Sequence, residues 1–361
     1  MDLREFLLKE WLMLSSGALL FLSSLYLGEA PRYGPAEIEP LILLASLFIS
    51  LKGLESSRLP AMLSSRMEKG EYLSAKLVLL TFLISMIVTI DVAIVTIIPM
   101  LLSMKREHRV EMAVLVSFTA HIGAALTPFG TPQNLFIYKW YDVDLAEFLR
   151  VMAPFSLPAL SLLLFISLAI PDSAQEGGEE EEIEVDYPGA FIFGTLFLVV
   201  VLSVIAILPW FSAIFAAIAA FVADRRSLRI DYPLLLTFLF FIGLTANVRE
   251  MIEGSLSHIG HLYILSASLS QFLSNVPTTL LLERFTEHWR ALVWGVNAGG
   301  FGTPVAAMAN LIAYRIFRAS SGRDESRLFL LYSIAGGYLL LLFFSALHFL
   351  LFDYIHCFEA L

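Results

Sequence analysis

The sequence predicts an all-α polytopic membrane protein made of two inverted repeats. Each repeat carries a re-entrant hairpin and a broken transmembrane helix, giving about nine full spans plus two hairpins. Three observations predict this. The first is hydropathy. Of 361 residues, 58% are hydrophobic and 16% charged, and mean hydropathy is +0.78, too apolar for a soluble domain and too long for one buried core. The second is an internal duplication. Gly123, Thr127, Pro128, Asn134, Leu135, Tyr138 and Lys139 recur, at an offset of 176, as Gly299, Thr303, Pro304, Asn310, Leu311, Tyr314 and Arg315. Over the 18 positions starting at Gly123 and Gly299, six are identical and a seventh is a Lys/Arg exchange. The third is the distribution of positive charge, which selects between two topologies.

The apolar stretches are 11–28, 36–54, 71–103, 109–140, 146–170, 189–208, 210–222, 233–247, 261–283, 290–317 and 327–352. The first follows Arg4 and Lys9, offset by Asp2, Glu5 and Glu10. No small-residue cleavage signature comes after it, so it reads as a retained span and not a signal peptide. A crossing needs about 20 helical residues. Most stretches fit one crossing, but 71–103 is too long for one and too short for two, which suits a hairpin that enters and leaves on one face. The duplication makes 261–283 its counterpart. Stretches 109–140 and 290–317 hold the repeated Gly, Thr-Pro and Asn frame, residues that open a helix and expose its polar backbone. In lipid such a break survives only where it is buried in protein or lines a cavity. Stretch 210–222 is short: it is either its own span or, kinked at Pro209, the end of a longer helix.

Lys and Arg concentrate in cytoplasmic loops. With both hairpins and an inside N-terminus, 17 of the 23 fall inside, leaving Arg32, Lys139, Arg150, Arg249, Arg284 and Arg290 outside. With two full crossings instead, the division is more even. The hairpin topology places the N-terminus in the cytoplasm and the C-terminus outside the cell membrane. Residues 1–170 form the first repeat, 171–188 an acidic cytoplasmic linker, 189–208 a linking span, and 209–361 the second repeat, which that odd span inverts. Asp172 to Asp186 carries eight acids and no Lys or Arg, and accounts for most of the net charge of −10. It reads as solvated loop, too short and acidic for a regulatory domain.

The candidate site follows from where the scarce amides lie. There are five Asn and three Gln in the chain. Asn134, Asn275, Asn297 and Asn310 fall in the second hairpin's tip or in the broken helices. The second tip reads Ser274-Asn275-Val276-Pro277-Thr278-Thr279 and the first Thr89-Ile90-Asp91-Val92. A tip at mid-membrane leaves backbone groups without intrahelical partners, and with short hydroxyl and amide side chains these can coordinate ions. The plainer use of the same residues is helix breaking and interhelical hydrogen bonding. Asp91 is an ionisable group at mid-membrane depth, either a coupling-ion or proton carrier or an acceptor for hairpin backbone. His121 aligns with Asn297, as a bonded structural histidine or a proton relay. Lys139 and Arg315, at the far ends of the broken helices, are expected to snorkel to the headgroups.

These motifs resemble the ion transporter superfamily of divalent anion/sodium symporters, citrate carriers, and arsenite and sodium/proton antiporters. The resemblance rests on Ser274-Asn275 before Pro277 and Thr278, on Thr131-Pro132-Gln133-Asn134, and on the repeated frame, and it covers nearly the whole chain. It implies a secondary active transporter moving a small di- or tricarboxylate-like anion, coupled to sodium or protons, by alternating access. A sodium/proton or arsenite-type antiporter is the alternative, with Asp91 as the exchanged site. The resemblance implicates Ser274, Asn275, Thr278, Thr303, Pro304 and Asn310 in one half, to which the clustering of amides adds Asn297. In the other it implicates Thr89, Asp91, Gly123, Thr127, Thr131 and Asn134. Sodium would sit among Thr89, Asp91, Asn134, Ser274, Asn275 and Asn310. Ile90 stands where the symporters place an amide, and Val276-Pro277 separates Asn275 from Thr278. A homodimer is implied by the resemblance alone.

Other functions find little support. There is no Gly-x-Ser-x-Gly or His-Glu-x-x-His motif, so no intramembrane enzyme is expected, and no nucleotide-binding loop for direct ATP drive. Cys357 is the single cysteine, which excludes an intrachain disulfide and Cys-based zinc or iron-sulfur sites. No cofactor beyond a coupling ion and no nucleic-acid partner is expected. Neither tip nor Thr-Pro loop holds Lys or Arg, so an anion would rely on helix N-termini, hydroxyls, amides and bound cations.

Overall fold

The computed structural model describes residues 10–31, 33–65, 72–103, 107–171, 184–251 and 262–359. Most of the acidic linker, and Arg4, Lys9, Arg66, Lys69, Lys105 and Arg106, lie outside the described residues. Among those described, the first half runs α1 (Trp11–Leu27), α2 (Pro35–Ser56), α3 (Leu59–Ser65), α4 (Leu73–Ile87), α5 (Ile90–Ser103), α6 (Arg109–Ala125), α7 (Pro132–Trp140) and α8 (Leu145–Leu168). Then follow α9 (Tyr187–Val204), α10 (Ser212–Ala223), α11 (Tyr232–Met251), α12 (Leu262–Leu273), α13 (Asn275–Leu282), α14 (Trp289–Ala298), α15 (Met308–Ser320) and α16 (Arg323–Glu359).

Local sequence explains the boundaries. Pro35 and Pro132 open α2 and α7, where a missing N–H costs nothing, and Asp144 caps α8 by accepting from the N–H groups of Ala146 and Glu147. Stretch 71–103 is two helices of 15 and 14 residues that turn at Val88-Thr89. At 1.5 Å per residue each is about 22 Å long, short of a hydrocarbon core of about 30 Å. Stretch 261–283 likewise bends, at Ser274, into helices of 12 and 8 residues. Stretch 210–222 forms its own helix, α10, separated from α9 by the turn at Pro209. The short α3 has no counterpart among the sequence expectations.

Packing between the halves is reciprocal. Hairpin α4–α5 packs on α6, and α12–α13 on α14. The second arm of each hairpin then meets the far segment of the opposite broken helix, α5 against α15 and α13 against α7. The first span of one half likewise packs on the other, α1 on α11 and α10 on α2. At the centre, Phe155 of α8 stacks on Phe344 of α16 with centroids 3.9 Å apart, and Trp294 of α14 meets Phe155 edge-on at 5.3 Å. All three rings are fully buried. The outer surface is apolar instead, with Phe21, Phe165, Phe191, Phe215 and Leu339 exposed, the inverse of a water-facing surface. Four described helices are long and apolar enough to cross a membrane: Leu145–Leu168, Tyr187–Val204, Tyr232–Met251 and Arg323–Leu351.

Loop contacts divide the molecule into two ends. At one end Arg109 pairs with both carboxylate oxygens of Glu325, and the N–H of Asp186 donates to Ser57 O at 3.1 Å. At the other, Lys139 pairs with Glu39 (2.6 Å), Arg284 with Glu37 (2.8 Å) and Arg290 with Glu147 (2.9 Å). Tyr141 donates to the carbonyls of Glu283 and Thr286, both at 2.8 Å. Burial and then the Glu283 and Glu287 carboxylates push its phenol well above the usual range, so it remains a donor. Lys139, expected at headgroup level, has a carboxylate as its partner, whereas Arg315 is exposed and makes no ion pair among the described residues.

Candidate functional site at the paired helix breaks

A helix that stops inside a protein leaves its last carbonyls without partners, and each break meets this in the same way. Asn134 Nδ2 donates to Ala125 O (3.0 Å) and Thr127 O (3.1 Å), and Asn310 Nδ2 to Gly300 O (3.0 Å) and Thr303 O (3.2 Å). The hydroxyl of Thr127 donates to Met86 O (2.9 Å) and that of Thr303 to Gln271 O (3.0 Å), tying each break to the first arm of its hairpin. The tips are tied back in turn: Ile90 N donates to Gly130 O (3.3 Å) and Asn275 N to Ala306 O (3.0 Å). Gly123 and Gly299 allow this closeness, because a Cβ at either would overlap the hairpin, at Ser85 and Phe82 or at Ser270 and Ala267.

These bonds give the hairpins a register. Met86 matches Gln271 and Ile90 matches Asn275, so Thr89 matches Ser274 and Asp91 matches Val276. Ser274 has φ 73° and ψ 156°, a backbone region that is essentially glycine's own. A serine there costs about 1–3 kcal/mol and persists only where surrounding contacts fix it. Thr278 and Thr279 donate to the carbonyls of Ser274 and Asn275 at 2.8 and 2.9 Å, so both hydroxyl protons are used inside α13. Thr131, in extended backbone before Pro132, keeps a buried hydroxyl with no hydrogen-bond partner. Asp91 lies in the first turn of α5, half-buried, with no hydrogen bond among the described residues.

Between the halves runs a polar bridge. Asn297 Nδ2 donates to Asn134 Oδ1 at 2.7 Å and to Val293 O at 2.8 Å, and Gln133 Nε2 donates to Asn297 Oδ1 at 3.2 Å. All three amides are buried. His121 occupies the place of Asn297 in the other half and makes the matching bond, its Nδ1 lying 3.1 Å from Ser117 O. Its Nε2 is buried and has no partner. On this side a shallow crevice lies beside the second break, lined by Ser117, Phe118, Phe301, Pro304, Asn310 and Ser333 among others.

Of the expected site residues, Gly123, Thr127 and Asn134 come together at the first break. Asn275, Thr303 and Asn310 meet at the second, with Ser274 beside Asn275 at the tip, and Asn297 joins the two. Asp91 and Thr278 take no part in these bonds. Two residues were missed. Gln271 Nε2 donates to Gly299 O and Phe301 O, both at 2.7 Å, and its Oε1 accepts from Thr303 N at 3.1 Å. Gln133 completes the bridge. The signal was available, since two of only three glutamines fall in these segments.

A family described as "Citrate transporter" matches residues 6–285. An uncharacterized transporter of Methanocaldococcus jannaschii is 33% identical over 262 residues, 69% of this chain and 72% of that protein. The inner membrane protein YbiR of Escherichia coli is 31% identical over 313 residues, 81% of this chain and 84% of that protein. With these matches, the chain belongs to the citrate transporter family, within the ion transporter superfamily, and is a secondary transporter of the membrane and not an enzyme.

Proposed function

We propose that this transporter moves a small di- or tricarboxylate-like anion across the cell membrane, coupled to sodium or protons, by alternating access. The observation that carries the reading is the pair of helix breaks, each bonded to a hairpin tip and bridged to the other through Asn297 and Asn134. Discontinuous helices in corresponding halves are where transporters place substrate and coupling-ion sites. The hairpin arms, too short to cross, turn within the membrane. The end bearing Arg109–Glu325 is cytoplasmic by the positive-inside count. Ser274 and Asn275 hold the anion together with cations bound at the breaks, no other cofactor takes part, and the protein works as a homodimer in the bilayer. Asp91 favours a second reading, cation or metalloid antiport, because its carboxylate is half-buried and makes no hydrogen bond among the described residues.

Uptake of labelled succinate and citrate into proteoliposomes, with sodium and proton gradients imposed separately, tests both. Gradient-driven uptake abolished by Asn275→Ala is expected. If no carboxylate moves, but adding sodium or arsenite collapses an imposed pH gradient and Asp91→Asn stops this, the antiport reading replaces it.

A further inference from the structure

Glu283 is the first residue after the hairpin arm α13, in a short 3-10 turn, Glu283–Phe285, at the end of the molecule opposite Arg109–Glu325. Its side chain is 4% exposed, and its Oε2 is buried without a hydrogen-bond partner. The turn is clasped from the first half, because Tyr141 donates to the carbonyls of Glu283 and Thr286. The next residue, Arg284, gives Nη2 to Glu37 Oε1 at 2.8 Å and lies over Trp140, its guanidinium carbon 4.9 Å from the ring centroid. The Nε of Arg284 is buried and has no partner. Glu37 is fixed in turn, its Oε2 accepting from Gly34 N at 2.8 Å at the start of α2. Two residues on, Glu39 pairs with Lys139 at the end of α7. Glu37, Phe136, Trp140, Ile242, Glu283 and Arg284 border one small crevice at this junction. Elements of both halves thus close one end of the molecule around a carboxylate whose neighbouring cation is already bonded to another acid. The opposite end has no matching clasp among the described residues, since Arg315, in the place of Lys139, makes no ion pair there.

We infer that Glu283 is a proton-binding site that controls a latch at this end. With the proton bound, Arg284 stays on Glu37 and the end is shut; with the proton lost to the outside water, the end opens. The physical cause is competition for one guanidinium. A carboxylate buried without a donor is costly as an anion. Neutral Glu283 makes no claim on Arg284, whereas ionised Glu283 contends with Glu37 for it and leaves two acids to one cation, a net charge that water stabilises and a closed junction does not. The other charged or titratable groups on the surrounding elements are Glu287 and His288 in the following loop, Tyr33 and Glu39 about α2, Lys139 and Tyr141 about the end of α7, and Arg249 and Glu250 at the end of α11. None of these bonds to the Glu283 carboxylate among the described residues. Lys139 is taken by Glu39 and Tyr141 by the two carbonyls. The inference rests on the reading of this end as the outer one, and within the proposed function it gives protons a role: one arriving from outside shuts the outer end.

The test reads the latch without transport. In a Cys357→Ser background, which removes the single cysteine, Ile242→Cys puts a thiol in the buried border of the crevice and His288→Cys one on the exposed loop beyond the turn. Intact cells expressing either form are treated with a membrane-impermeant maleimide, and the ratio of the two labelling rates cancels the thiol's own response to pH. With Glu283 intact, that ratio should rise at least about tenfold as external pH goes from about 6 to about 9, which spans the range to which burial moves a glutamic acid. Glu283→Gln copies the protonated acid and should hold the ratio low throughout. Arg284→Gln removes the latch and should hold it high throughout, a readout that stands if the first variant fails to fold. A flat ratio with Glu283 intact, a rise that survives in Glu283→Gln, or a low ratio in Arg284→Gln overturns the site. A His288→Cys that reacts only from the cytoplasmic side overturns the orientation and the inference with it. Absence of carboxylate uptake alongside the expected labelling overturns the substrate reading and leaves the latch standing.

Discussion

The two helix breaks share a backbone design and differ in what they leave unpaired. At the first, Asn134 spends both amide hydrogens on Ala125 O and Thr127 O, and its oxygen accepts from Asn297. At the second, Asn310 spends its hydrogens in the same way, but the residue in Asn297's place is His121, and the Nε2 of that ring has no partner. The first break is closed and buried, whereas the second opens on a crevice. The two breaks therefore share the bonds that hold a broken helix together and differ in the side chains around them. The difference teaches that one set of backbone bonds can hold a break that is closed in the core and another that borders a crevice.

Removing Asn134 should break this comparison most severely. Asn134→Ala strands two break carbonyls and the Asn297 amide, at about 1–3 kcal/mol for each buried group left unsatisfied. It should lower the unfolding temperature of the detergent-solubilised protein clearly more than Asn310→Ala, whose site is only half-buried. Equal losses would deny the asymmetry. Next come the close contacts at Gly123 and Gly299, where alanine forces hairpin and break apart at about 1–3 kcal/mol. Reduced stability is expected at both, and normal stability at either would mean that hairpin can shift freely. Gln271→Met, which installs the residue found in the first half, should cost about 1–3 kcal/mol, because the carbonyls of Gly299 and Phe301 lose their donor. The reciprocal Met86→Gln should bring no matching gain, and thermal melts of the pair show whether the second break alone depends on an amide. The smallest effects should be at the far ends of α7 and α15. Lys139→Gln loses a partly buried ion pair and should cost no more than about 1 kcal/mol, and Arg315→Gln should be neutral, since its partner is solvent or lipid headgroup.

The site was legible in part because its backbone chemistry leaves a compositional trace. Gly123 and Gly299 must be small, Thr127 and Thr303 must donate, and Asn134 and Asn310 must cap carbonyls, so each pair survived as an identity at one fixed offset. That 71–103 divides into two short helices was legible from length, since it fits neither one crossing nor two. The partner of Lys139 was not legible, because Glu39 comes near it only when α2 packs on α7. Gln271 was overlooked because its partners lie about thirty residues away in sequence, where no spacing rule connects them. Asp91 drew attention as a charge near a tip, but the hairpin register matches it to Val276 and not to Asn275.

By itself the sequence determined that this chain is a membrane protein, that one passage recurs, and where its helices break, because burial in lipid and unpaired backbone constrain residue type directly. The tertiary structure decided which of the scarce amides face one another across the halves. It also decided that His121 is left with an unpaired nitrogen beside Gly300, because register and contact between segments far apart in the chain are set by packing, which no local pattern encodes.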